Sequence, residues 1–204
     1  MDRSRGIHPI AKVLLNVGGG HHQKALPSFY NDWKQLLLDI QAHPHVDIAH
    51  DARQLTQLPS SEYDAVYCAH NLEHYYEYEL REVLKGFKHL LKPSGYVHII
   101  VPDIKAVMYH MFKHNLDLNS QIGHCELGPI RIIDVLYGHQ AEIEKQNNGF
   151  YAHKVGFSPQ NLKSTLKPHF KEVYIQVLSD QFEIQALAFI DAPTPEQVQE
   201  LGLE

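Results

Sequence analysis

A chain of 204 residues with 44% hydrophobic and 21% charged residues is sized for one globular domain with a substantial core. Its formal charge of −6 and the lack of any long Lys/Arg cluster exclude nucleic-acid recognition built on phosphate neutralisation. No apolar run approaches the roughly 20 residues that a membrane span needs, the charged start Met1 to His8 has no apolar leader, and Cys68 and Cys125 make no disulfide framework, so a cytoplasmic place is expected.

In chain order, the apolar run Val13-Leu14-Leu15 predicts a strand over 12–16 that breaks into Gly18-Gly19-Gly20. Pro27 and Asn31-Asp32 leave room for a turn or two of helix before a second strand, 35–39. Strands follow at 46–49, ending at His50-Asp51, and at 65–68. Leu80, Val83, Leu84, Phe87, Leu90 and Leu91 recur at helical spacing, with Glu79, Arg81, Glu82, Lys85 and Lys88 on the other face. Lys92-Pro93-Ser94-Gly95 stops that helix, and 96–101 is a fifth strand closed by Pro102. Residues 104–152 lose the regular alternation; helical pieces are expected at 105–114 and 132–145. Ser158-Pro159 opens a helix that buries Leu162 and Leu166. The runs 172–178 and 182–190 flank a short turn and predict an antiparallel hairpin. The acidic tail 191–204 is expected to dock loosely. Alternating strands and helices predict a doubly wound, mostly parallel α/β sheet with helices on both faces.

The glycines at the end of the first strand carry the strongest chemical signal. Glycine reaches positive φ and lacks a Cβ, so a ligand can approach the main chain there; a plain turn is the bland alternative. Asp39 lies 21 residues beyond Gly18 and ends the second apolar run. An acid about 20 residues past a glycine loop is the ribose-holding pattern of nucleotide-binding α/β folds. An adenosine-type cofactor is therefore expected. Asp51 is a weaker candidate, because Asp also caps turns. The 16 histidines are scattered. His70 with His74, and His110 with His114, fall at the i, i+4 spacing of a metal site, but no third ligand is implied and no metal is expected.

The order of these features resembles the class I S-adenosylmethionine-dependent methyltransferases over about residues 11–190, and within them a bacterial branch of predicted methyltransferases. The likeness rests on Asn16-Val17-Gly18-Gly19-Gly20, on Asp39 and Asp51, on Tyr63-Asp64-Ala65-Val66 with His70-Asn71-Leu72-Glu73-His74, on Leu90-Leu91-Lys92-Pro93-Ser94-Gly95, and on the terminal hairpin. The resemblance implies a seven-stranded Rossmann-like sheet and S-adenosylmethionine as cofactor, with S-adenosylhomocysteine as product. It carries cofactor contact over to Asn16, Gly18, Gly20 and His21 in the loop, to Asp39 and Ile40, to Asp51 and Ala52, and to His70. Asn16 stands where the family has a carboxylate, and His22 where a glycine is often found.

A base is needed only if the acceptor carries a proton that must leave. His70 is the first candidate and His153, in His153-Lys154-Val155-Gly156-Phe157, the second. Each has a structural reading of equal weight: His70 orienting Glu73 or a backbone group, His153 hydrogen-bonded in the fold. Glu73 and His74 are read as starting the helix that follows. Residues 104–152 are the expected cover of the acceptor, a small molecule or glycan-pathway compound; no nucleic-acid or membrane partner is expected. Two other classes stay open. An NAD-dependent oxidoreductase or epimerase shares the strand–glycine–acid logic, though the third glycine of its loop and a Tyr-x-x-x-Lys pair are missing. A non-catalytic cofactor-binding module is compatible with Asn16 and His22.

Overall fold

The computed structural model describes residues 11–20, 26–125 and 127–203. Its elements in chain order are β1 (Val13–Val17), β2 (Lys34–Asp39), β3 (Ile48–Ala49), β4 (Tyr63–Ala69), α1 (Glu77–Leu90), β5 (Leu91–Pro102), α2 (Ile104–Lys113), β6 (Gln121–Cys125), β7 (Gly128–Arg131), α3 (Ile132–Tyr137), α4 (Gln140–Gln146), α5 (Pro159–Leu166), β8 (Glu172–Leu178), β9 (Glu183–Phe189) and α6 (Pro195–Leu201). Seven strands form one sheet in the order β3-β2-β1-β4-β5-β9-β8. All pairings from β3 to β5 are parallel, and β9 runs antiparallel to both β5 and β8. The expected sheet and terminal hairpin are thus both present.

Period-two alternation distributes side chains to two cores. Leu15, Val66, Cys68, Val97, Ile99 and Val101 face one side, where Leu80, Val83, Leu84 and Phe87 of α1 and Leu162 and Leu166 of α5 cover them. Leu14, Ala65, Tyr67 and Tyr96 face the other side. Both faces of the central strands are apolar, as burial on two sides requires. Glu79 starts α1 by accepting from the Tyr76 N–H (2.9 Å), and Asn161 starts α5 by accepting from the Ser158 N–H (2.6 Å).

The second face is covered unusually. Between β1 and β2 only one 3-10 turn, Ser28–Tyr30, is formed among the described residues. It lays Tyr30, Phe29 and Trp33 over that core. The Tyr30 hydroxyl lies 3.2 Å from Nδ1 of fully buried His98. Burial holds the His98 imidazole down at about 4, so this ring is neutral near pH 7.

Three expectations are corrected. Residues 104–152 are not only helical: β6 and β7 form an antiparallel hairpin, whose Gly123, Gly128 and Pro129 hide it from a β-propensity reading. The expected helix 132–145 is split into α3 and α4 at Gly138, where φ is 92°. The tail is docked rather than loose. Thr194 and Gln197 form a reciprocal cap that starts α6, Gln197 Nε2 donates to the Ser94 carbonyl (2.9 Å), and Glu200 pairs with Lys12 (2.9 Å). Leu201 and Leu203 pack on the second core. The tail therefore covers part of the second face of the sheet.

Removing residues 192–204 should return both leucines to water. That costs on the order of 2–3 kcal/mol and lowers the thermal midpoint by about 4–12 °C. Calorimetric unfolding of the truncated chain checks this; an unchanged midpoint would show that α6 adds nothing to the core.

Candidate active site

The strand order reverses at β1: β2 lies on one side and β4 on the other. A crevice at the carboxyl ends of the strands follows from that reversal. Gly18 leaves β1 with φ at 72°, and its N–H donates to the Leu38 carbonyl (2.8 Å), tying the loop to β2. A Cβ on Gly18 would run into the Asn71 amide, with its Cγ 2.7 Å away. The loop and the exit of β4 therefore touch only because residue 18 has no side chain. Gly20 also has positive φ, 76°, and opens to space. Asn16 does not line the cleft. It is 2% exposed and packs beneath Gly19, and its Oδ1 has no hydrogen-bond partner among the described residues. His21, expected in the cofactor site, lies outside the described residues.

Asp39 ends β2 at the cleft, its Oδ1 accepting from the Gln41 N–H (2.9 Å), with Ile40 beside it. Asp51 and Ala52 come from the end of β3 and the start of the 3-10 turn Ala52–Gln57. Asp51 Oδ1 caps that turn, accepting from the Arg53 N–H (2.9 Å), while Arg53 Nη2 donates to Oδ2 (2.6 Å). Arg53 Nη1 donates to Glu79 (2.7 Å), so one guanidinium joins Asp51 to the first turn of α1. Hydrogen bonding to Arg53 lowers the Asp51 pKa against a smaller effect of burial, which keeps the carboxylate ionised. Arg53 and Glu79 are cleft residues that the sequence reading missed.

β4 ends at His70, a non-glycine residue at φ 49° whose N–H donates to the Ile100 carbonyl (2.9 Å). Its Nε2 lies 3.0 Å from Glu183 Oε1 and its Nδ1 3.7 Å from Glu73 Oε1. Desolvation opposes protonation of this ring, and the two carboxylates outweigh it and raise the pKa well above the usual imidazole range. An imidazolium between two carboxylates is a donor, so His70 lines the cleft without being poised as a base.

Glu73 and His74 do not begin α1. They sit in a separate 3-10 turn, Leu72–His74, that turns Glu73 inward to 2% exposure. His70 and His74 accordingly share no helix face. His153 does not line the cleft either. Its Nδ1 donates to the Val135 carbonyl (2.8 Å) and its Nε2 lies 4.0 Å from Glu73 Oε1, behind the cleft wall. Desolvation lowers its pKa. Neither histidine predicted as a base thus has a free ring nitrogen facing the cleft through its own contacts.

One cleft of about 230 Å³ collects Gly18, Gly20, Asp39, Ile40, Asp51, Ala52 and His70. Tyr75, Phe150, Tyr151 and Lys154 also line it. The last three lie near the end of the irregular segment. Gly138 seats them: a Cβ there would run into the Tyr151 carbonyl oxygen and lie 2.9 Å from Ala152 Cα.

Residues 18–99, which contain the loop, both acids and the exit of β4, match the family model described as methyltransferase domain. No curated protein matches the sequence. The fold is similar to that of a SAM-dependent methyltransferase from Archaeoglobus fulgidus, with a TM-score of 0.54 and 15% identity over 88% of this chain and 86% of that one. It is similar to a Burkholderia thailandensis 1,6-didemethyltoxoflavin-N1-methyltransferase with bound 1,6-didemethyltoxoflavin and S-adenosylhomocysteine, with a TM-score of 0.57 and 16% identity over 89% and 72%. Human N-acetylserotonin methyltransferase in complex with SAM is also similar, with a TM-score of 0.51 and 15% identity over 87% of this chain and 47% of that one. The architecture is a Rossmann-like sheet with an antiparallel terminal hairpin. With the domain match over residues 18–99, it makes the chain similar in fold to S-adenosylmethionine-dependent methyltransferases.

Gly138→Ala should destabilise the fold by about 2–4 kcal/mol, from positive-φ strain and from collision with the backbone at Tyr151. Urea unfolding measures it; a loss under about 0.5 kcal/mol, the scale of an ordinary surface substitution, would show that residues 138 and 151 do not pack as described.

Proposed function

We propose that this protein is a methyltransferase that binds S-adenosylmethionine in the cleft described above and methylates a small-molecule or glycan-type acceptor in the cytoplasm. One observation carries the reading: Gly18–Gly20, Asp39 and Asp51 come from the ends of three different strands to one crevice at the switch point. The residues present suit an adenosyl ligand. Asp39 offers a carboxylate for ribose hydroxyls, Asp51 an ionised acceptor for an adenine amino group, and Gly18 and Gly20 main chain free of Cβ atoms. The bound cofactor supplies an electrophilic sulfonium methyl, whose C–S bonding pair stays on sulfur as the acceptor lone pair forms the new bond.

Holding the acceptor in line at near-attack distance is then the main catalytic task. Residues 104–152 supply the acceptor side in this reading, supported by Phe150 and Tyr151 at the cleft. His70 serves as a charged wall residue anchored to Glu183, not as a proton acceptor. The cytoplasmic part of the proposal rests on the two free cysteines. Cys68 is fully buried, and burial pushes its thiol pKa up, so it is inert. No helix among the described residues is long and apolar enough to cross a membrane. The oxidoreductase and non-catalytic alternatives find no support in the domain match or the fold.

Titration calorimetry should show binding of S-adenosylmethionine and S-adenosylhomocysteine and none of NAD. Asp39→Ala should weaken cofactor binding ten- to a hundredfold, about 1.5–3 kcal/mol for a charge-assisted hydrogen bond to ribose, with unfolding unchanged. Micromolar NAD binding with no heat from either sulfur compound would overturn the proposal, and unaltered affinity in the folded variant would place the ribose elsewhere.

A further inference from the structure

We infer that Glu73, His74 and His153 form a binding site for a divalent transition-metal ion in the wall of the cleft. One ligand atom from each of the three residues lies within 4.8 Å of the others. They come from two segments far apart in the chain, the turn after β4 and the loop before α5, so sequence spacing did not reveal the site.

Three independent features point to a metal. The first is the tautomer of both imidazoles. His74 Nδ1 lies 3.1 Å from the Ala152 carbonyl and His153 Nδ1 lies 2.8 Å from the Val135 carbonyl. A carbonyl oxygen only accepts, so each Nδ1 carries the hydrogen and each neutral ring keeps its lone pair on Nε2. A metal-bound histidine is held in this way, its other nitrogen donating to a backbone carbonyl. The second is Glu73. It is 2% exposed, and neither carboxylate oxygen has a hydrogen-bond partner among the described residues. The nearest imidazole nitrogens, at 3.7 and 4.0 Å, stand beyond hydrogen-bond length. A buried carboxylate is normally paired or coordinates a metal.

The third feature is the scaffold. The Glu73 carbonyl accepts from the N–H groups of Lys154 (2.9 Å) and Val155 (3.3 Å), and the His153 N–H donates to the Tyr137 carbonyl (3.1 Å). Backbone bonds therefore hold the two ligand segments together whether or not an ion is bound. Tetrahedral ligands about 2.1 Å from a metal lie about 3.4 Å apart, so binding draws the three groups in by about an ångström.

Two imidazoles and one carboxylate suit zinc, iron(II), cobalt(II) or manganese(II) and leave coordination positions open. His74 lines the cleft, so an open position would face it. An acceptor offering a hydroxyl or carboxylate oxygen would be oriented there. That role rests on the methyltransferase reading; the site itself does not. Without a metal, the group that faces Glu73 is His70, which lies closer to Glu183 (3.0 Å) than to Glu73 (3.7 Å).

The full chain, stripped with chelator, is dialysed against zinc or cobalt(II). Metal per chain is measured by mass spectrometry, and cobalt coordination by its visible d–d absorption. One equivalent is expected, with d–d bands of a low-symmetry site. His153→Ala and Glu73→Gln should each weaken metal binding at least tenfold and abolish the bands. The double substitution His110→Ala with His114→Ala, on α2, should change neither. If Glu73→Gln fails to fold, His153→Ala decides. Substoichiometric uptake by the wild type, or uptake unaffected by His153→Ala, overturns the inference. Calorimetry with S-adenosylmethionine on the same samples keeps the two readings apart: metal uptake without cofactor binding sinks only the methyltransferase proposal, and cofactor binding without metal uptake sinks only this one.

Discussion

A crevice exists in this protein because β1 pairs with β2 on one side and β4 on the other. The connections leaving those strands run in opposite directions across the sheet, which opens a crevice at the carboxyl ends between them. Every candidate functional group sits where it does as a consequence. The glycine loop is the exit of β1, Asp39 the exit of β2, Asp51 that of β3, and His70 that of β4. The closest approach, Gly18 against Asn71, joins the two exits on either side of the switch point, and it needs a residue without a Cβ.

Asp39, Asp51 and Glu79 line this crevice, with Glu73 and Glu183 behind it against His70, and the pairing of these carboxylates sets their environments. Asp51 and Glu79 share Arg53, and Glu183 and Glu73 share His70. Asp39 Oδ1 accepts from the Gln41 N–H, and among the described residues Asp39 forms no ion pair. Electrostatics also set the tasks of the histidines. Flanking carboxylates make His70 a cation. Burial keeps His98 neutral and lowers the His153 pKa, although the hydrogen bond to the Val135 carbonyl works the other way. Flanking carboxylates and burial thus push histidines of one fold toward opposite charge states.

The two faces of the sheet are finished by different means. One receives α1 and α5 and follows ordinary amphipathic packing. The other is covered by an aromatic 3-10 turn and the C-terminal α6. Tyr30, Trp33 and Tyr96 fill volume there that helix side chains would occupy, and α6 closes the remainder through Leu201 and Leu203. The ion pair between Glu200 and Lys12 ties α6 to the start of β1 at that face.

The sequence alone determined the strands, the amphipathic α1, the capped α5 and the terminal hairpin. Each depends on local periodicity and turn chemistry, which can be read within a dozen residues. It also exposed Gly18 and Gly20 with Asp39, because a fixed spacing links a glycine loop to the next strand end. Long-range geometry lay outside its reach. Nothing near Asp51 announces that Arg53 will bridge it to Glu79, and nothing near Glu73 announces His153, because loop closure brings these groups together across many residues. The β6–β7 hairpin was masked by glycine and proline, and the docking of α6 by a polar tail whose two leucines find partners only on the assembled sheet. Only the tertiary structure decided which acids are paired, which histidine nitrogens carry hydrogen and which side chains reach the cleft. Those properties follow from distance and burial, whereas the sequence encodes local propensity.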